Sequence, residues 1–163
     1  MLVRYSLFIL ILLALNACAT SPNYDDKKFK ENITPQKVVE NFTGFKNANV
    51  LWGGIIISSS NLKDRTQLEV LGYPLQSDQK PDVTKNPLGR FLVLKDQYLE
   101  TIDYAQGRLI TLTGHIVKTH LGEIGSALYT YPVVQADQIY LWPKDDSSNQ
   151  TRFHFGVGVM ITN

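Results

Sequence analysis

The chain contains one cysteine, Cys18, which closes a short apolar N-terminal segment in the run Leu15-Asn16-Ala17-Cys18. A single thiol rules out an internal disulfide, so even in an oxidising compartment the folded domain must be held by its packed core. The segment before it has the build of an export signal. Arg4 and the amino terminus give a positive start, Leu7 through Leu15 is unbroken apolar sequence, and the small Ala17 precedes the thiol. The run is about half the roughly 20 residues a transmembrane helix needs, so it reads as a removable h-region.

A cysteine in that place is the nucleophile that accepts a diacylglyceryl group in a bacterial lipoprotein. The usual lipobox is an aliphatic residue, a small residue, Gly or Ala, then Cys. Leu15, Ala17 and Cys18 match it, while Asn16 is bulkier and more polar than the usual occupant. The expectation is a signal peptide over residues 1–17, with Cys18 carrying a diacylglyceryl thioether and an amide-linked acyl group such as palmitate. Each buried methylene contributes about 0.8 kcal/mol and two or more chains hold firmly, so the protein is anchored to a membrane and does not span it. Ala19 follows the cysteine; an Asp there commonly retains enteric lipoproteins in the inner membrane, so the outer membrane is favoured.

Processing leaves 146 residues with 15 basic and 15 acidic side chains. That suits one domain, and the charge balance argues against a nucleic-acid partner, which calls for a basic excess or stripe. Residues 18–32 read as a lipidated tether. Its Lys27, Lys28 and Lys30 are interleaved with Asp25, Asp26 and Glu31, the pattern of a solvated stretch. Fully extended, this tether would reach about 45–50 Å.

Residues 33–163 read as a single β-barrel domain. Thr34-Pro35 opens a short helix, with Thr34 as cap, Pro35 in the first turn, Ile33 stapled onto Val38, and Gly44 as a stop. Strands are expected over Val50–Ser58, Thr66–Leu71, Leu88–Leu94 and Arg108–Lys118, then Tyr129–Val134 and Gln138–Trp142 on either side of a Gln-Ala-Asp break. Gly53-Gly54 marks a bulge or a sharp coil in a strongly bent strand. Leu68 and Val70 point inward, as do Ile110, Leu112 and Ile116, with Thr111, Thr113 and His115 opposite. A last alternating segment puts Phe153, Phe155, Val157, Val159 and Ile161 on one face. It has the length of a transmembrane strand, but one strand cannot close a barrel, so it is expected to join the core. The fold class is mainly β: a small OB-like antiparallel β-barrel with one short N-terminal helix.

Several of these segments carry a resemblance. Trp52-Gly53-Gly54-x-Ile56, Leu68-Glu69-Val70-Leu71-x-Tyr73-Pro74-Leu75, and Gly89-Arg90-Phe91-Leu92 are similar to the Slp (starvation-inducible) outer-membrane lipoprotein family. So are Leu99–Tyr104 leading into Gly107-Arg108-Leu109-Ile110-Thr111-Leu112-x-Gly114, then Ile124-Gly125 and Tyr131-Pro132-Val133-Val134. The ordered set spans about residues 15–142. The resemblance implies a Gram-negative outer-membrane lipoprotein with an OB-like barrel, in a family some of whose members are tied to starvation or stress. It brings no catalytic centre. After Trp142 this chain departs from relatives that carry long Trp- and Pro-rich tails.

The chemistry-bearing residues are sparse. His115, His120 and His154 lack metal-ligand spacing, so no metal and no cofactor are expected. Ser58-Ser59-Ser60 has no nucleophile-elbow context, and Gly156-Val157-Gly158 precedes no helix. Asp145-Asp146 suits a hairpin loop. Asp103 and Arg108 straddle a turn, where an ion pair or turn hydrogen bond is the default. Tyr129, Tyr131, Tyr140 and Trp142 are candidates for a binding face or for packing. The expected role is a non-enzymatic envelope module for structure or interaction. The alternative is an OB-like module that binds an oligosaccharide, peptidoglycan fragment or peptide, with exposed aromatics beside a groove.

Overall fold

The computed structural model describes residues 22–25, 28–29 and 32–144. The chain enters the domain through Ile33, which is buried. Thr34 then caps helix α1 (Pro35–Glu40), its hydroxyl accepting from the Lys37 amide at 3.3 Å, with Pro35 in the first turn. Instead of running on to Gly44, the helix breaks at Asn41. The side chain of Asn41 accepts from the Gly44 amide at 3.1 Å and opens a second turn, α2 (Phe42–Phe45). Gly44 therefore lies inside a helical turn, and the single expected helix is two short ones. Val38 is fully buried in the same apolar cluster as Ile33, as the staple requires.

Five strands follow: β1 (Asn49–Asn61), β2 (Thr66–Tyr73), β3 (Gly89–Lys95), β4 (Leu109–Ile124) and β5 (Ala127–Leu141). They close into a barrel in the order β1-β2-β3-β5-β4, the five-stranded arrangement of an OB fold. Four seams are antiparallel. The fifth, β3 against β5, is parallel and short, from Leu92 opposite Val133 to Leu94 opposite Gln135. The antiparallel expectation is corrected at that seam: β3 and β5 run the same way because the β4–β5 hairpin reverses the chain once more before it returns.

Strand β1 pairs with β4 over Asn49–Ile55 and with β2 over Gly53–Asn61. Where the two pairings overlap the strand must coil sharply. A Cβ on Gly54 would lie 2.0 Å from the Leu71 carbonyl oxygen, so no other residue fits there. The register shift falls later, leaving Ile57 as the extra residue between Ile56 and Ser58. The glycine pair is thus the coil and Ile57 the bulge. Strand β5 is likewise one strand where two were expected. Asp137 is the extra residue between Ala136 and Gln138, so the Gln-Ala-Asp stretch bends the strand without ending its pairing.

The barrel is filled. Phe91, Ile56, Leu68, Val70, Val93, Ile110, Leu112, Ile116 and Val134 are all fully buried within one cluster. Each such side chain contributes about 1.5–3 kcal/mol of transfer free energy. Trp52 meets Phe91 edge-on at 4.9 Å, and its indole N–H donates to the Ile33 carbonyl at 2.8 Å, tying the entry segment to the core. Toward the β1–β2 turn, Leu99 joins the cluster through its amide, which donates to Thr66 Oγ1 at 2.9 Å. The ring closes within Asn49–Leu141. The expected terminal strand, Phe153 to Ile161, lies outside the described residues.

Candidate functional site

Strands β4 and β5 are longer than the barrel needs, and their paired extension forms an arm whose side chains pack on the outer face of β3 and reach β2 at Glu69. Beneath the arm, Leu92, Leu94, Tyr131 and Val133 make a second buried cluster, with Val117, Ile124 and Tyr129 packed against it. A polar lock sits beside it. Arg90 Nη1 donates to Glu69 Oε1 at 2.7 Å, the Tyr131 hydroxyl donates to the same oxygen at 3.3 Å, and the Tyr129 hydroxyl accepts from the Arg90 amide at 2.9 Å. Burial, reinforced by the Glu69 carboxylate, pushes the Tyr131 phenol above its ordinary value. The Tyr129–Tyr131 pair, edge-on at 4.7 Å, is therefore packing.

What the arm leaves open is a groove of about 240 Å³ with a floor of Leu92, Leu94 and Val133. Its rim carries Leu62, Arg65, Gln67, Lys118 and His120. Arg65 is engaged by Asp64 at 3.0 Å and by Asp96 at 3.6 Å, and it holds the Asp64 carboxyl below the usual range. A larger depression of about 380 Å³ lies where the entry segment meets the barrel, walled by Trp52, Tyr73, Phe91, Pro35, Pro74 and Leu75, with Asn32 and Thr34 as polar members.

The opposite outer face is covered by the β2–β3 loop. Gln79, only 6% exposed, sits at a positive φ of 66°. Its carbonyl accepts from Thr111 Oγ1 at 2.6 Å, and Thr111 Oγ1 accepts in turn from the Trp142 indole N–H at 2.9 Å. Trp142 meets Tyr140 edge-on at 4.9 Å, and the Lys80 ammonium lies 5.7 Å from a Trp142 ring centroid. Thr111 and Thr113 point out of the barrel as expected, yet both are buried, Thr111 beneath the loop that bonds it.

Of the residues singled out by the sequence, Leu15, Asn16, Ala17 and Cys18 lie outside the described residues, as do His154, Asp145-Asp146 and Gly156–Gly158. His115 pairs with Asn49 and Gln135 on β4, and His120 is exposed farther along the same strand. Among the described residues, no group of three His, Cys, Asp or Glu side chains could hold a metal ion. Arg108 does meet Asp103, but at its backbone carbonyl (2.9 Å), and its other nitrogen reaches the Trp142 carbonyl at 2.8 Å. No hydrogen-bonding or ion-pairing role was read from the sequence for Gln79, Thr111 or the Glu69–Arg90 pair. The one signal for Glu69–Arg90 was opposite charge on two adjacent strands.

Strand order and filled interior define the class: a small β-barrel protein of OB topology. A model of the outer membrane lipoprotein Slp family matches residues 15–159, and the chain belongs to that family; its place is the bacterial outer membrane. It is 33% identical over 141 residues to an uncharacterized protein of Haemophilus influenzae, covering 83% of this chain and 74% of that one. It is 28% identical over 153 residues to the outer membrane protein Slp of Escherichia coli K12, covering 90% and 78%. With the uncharacterized lipoprotein YeaY of the same organism it shares 27% over 134 residues, covering 80% and 67%. Among solved structures, the small single-stranded DNA-binding protein of Streptomyces coelicolor aligns with a TM-score of 0.37 at 16% identity, covering 58% of this chain and 94% of that one. DNA binding is a property of that protein, and the fold assignment here rests on strand order alone.

Proposed function

We propose that the chain is held at the outer membrane by acyl groups on Cys18 and works as a non-enzymatic module for structure or interaction in envelope maintenance or stress adaptation. The observation that carries the anchor is the sole cysteine, placed where an apolar run gives way to a polar tether, in a family of outer membrane lipoproteins. The filled barrel and the arm packed over β2–β3 support the role: that face is where OB folds commonly take oligonucleotides and sugars, and here the chain's own Tyr131 occupies much of it. Intact-mass measurement of the membrane-extracted protein should show cleavage after Ala17 and the added mass of acyl chains. Cys18→Ser should move the protein to the soluble fraction. An unmodified thiol on the processed chain would overturn the anchor.

A second reading, a module for an oligosaccharide, peptidoglycan fragment or peptide, is favoured by the 380 Å³ depression, whose walls include Trp52 and Tyr73. It calls for a change in tryptophan fluorescence on titration with muropeptides, abolished by Tyr73→Ala. A flat titration would count against it.

A further inference from the structure

The segment expected to be a free tether is pinned to the barrel near its start. The Tyr24 amide donates to Gln79 Oε1 at 3.1 Å, and Gln79 Nε2 donates to the Tyr24 carbonyl at 2.8 Å. One side-chain amide thus brackets both backbone groups of one residue, much as a neighbouring strand would. Gln79 is itself held from several sides. It is buried, its carbonyl takes the Thr111 hydroxyl, and its amide donates to the Gln76 carbonyl at 2.9 Å. The clamp therefore connects the tether to β4 through a rigid loop.

The clamp changes the reach of the anchor. From Cys18 to Tyr24 there are six residue steps, which span at most about 20–22 Å, less than half the reach of a free tether. Around the clamp lie Tyr24, Tyr140 and Trp142 with the Lys80 ammonium over the indole, and the chain continues to the exposed Lys144. Aromatic rings with one polar end, beside cations, are the side chains suited to the boundary between headgroups and water. The barrel's other extreme is the tip of the arm, where Leu128 is 71% exposed. Twelve residue steps of β5 lie between it and Tyr140, a contour of at most about 40 Å that the bulge at Asp137 shortens.

We propose that the patch formed by Tyr24, Tyr140 and Lys80, backed by the buried Trp142, rests on the lipid headgroups of the membrane that holds Cys18, with the Gln79 clamp fixing the barrel in that orientation and the β4–β5 arm directed away. The proposal rests on the acylation of Cys18. The test is made on the full-length acylated protein in vesicles of phosphatidylethanolamine and phosphatidylglycerol, with nitroxide labels at Lys144→Cys or Leu128→Cys. Intact mass is read first. An unmodified Cys18 defeats the anchor and the orientation together, whereas an acylated Cys18 leaves the labels to judge the orientation alone. The label at 144 should be shielded from a water-soluble relaxation agent by at least threefold relative to the label at 128. Gln79→Ala, and Gln79→Glu, which keeps the length but loses the donor, should bring the two labels within a factor of 1.5 while the protein stays on the vesicles. Equal accessibility at the two sites in the wild-type background would overturn the proposal, as would a contrast that survives both Gln79 variants.

Discussion

The two outer faces of the barrel are closed in different ways. Over β2–β3 the cover is the chain's own hairpin arm, and the seal is apolar, with Leu92, Leu94, Tyr131 and Val133 in one buried cluster and the Arg90–Glu69 ion pair at its margin. Over β1–β4 the cover is an irregular loop, and the seal is a relay of hydrogen bonds running Trp142–Thr111–Gln79–Tyr24. An apolar seal gives up stability in proportion to the contact removed. A buried relay is worth little per bond while complete, but costs heavily when one member is left unpaired.

This contrast can be broken at measurable points. The largest effect is expected at the apolar face, where Leu92→Ala should cost about 3 kcal/mol, from lost transfer and a residual cavity. It should lower the urea midpoint with the slope unchanged. On the polar face, Thr111→Val keeps the shape but orphans the Gln79 carbonyl and the Trp142 indole, and should cost about 2 kcal/mol. Combined with Gln79→Ala it should be non-additive by at least about 0.5 kcal/mol, whereas Thr111→Val with Leu92→Ala, which share no partner, should add within that margin. Additivity in both pairs would show that the relay is no unit. Tyr131→Phe, which removes the hydroxyl's long bonds to the Glu69 carboxylate and the Glu123 carbonyl, should cost about 1 kcal/mol.

How far each face was legible in the sequence follows from the same difference. Strict alternation reveals which residues point into a barrel, and Leu68, Val70, Ile110, Leu112 and Ile116 are all fully buried. It also assigns Thr111 and Thr113 correctly to the outside. It cannot say that the outside is covered, because that depends on a loop whose Gln, Asp, Lys and Pro residues read as any solvated turn. Tyr24 was hidden for the same reason: a backbone clamped by a distant side-chain amide leaves no mark on local composition. A bulge and a loop share the same small or polar residues, so Asp137 bends β5 where a break between two strands was expected. At Gly53-Gly54 the pattern left bulge or coil open; the pair is the coil, and Ile57 carries the bulge of β1. The helix start was plain because Thr34-Pro35 is a local capping signal that needs no partner.

The smallest effect separates the faces by pH. Tyr24 on the polar face and Tyr131 on the apolar face both have phenols pushed up, first by burial and then by Tyr140 and Glu69 respectively. A folded-state pKa above the unfolded value of about 10 means that the native protein holds the proton more tightly. The resulting stability is fully present below pH 10 and is lost as the pH rises through the folded values. Urea midpoints should therefore stay level on this account from neutral to about pH 9 and fall above about pH 10. Glu69→Gln removes the charge that lifts Tyr131 but leaves Tyr24 untouched. It should reduce the alkaline slope without abolishing it, while Tyr24→Phe in addition should reduce it further and leave the part that burial gives Tyr131. If Glu69→Gln left the slope unchanged, burial alone would govern Tyr131, and the carboxylate would matter to the arm only through Arg90.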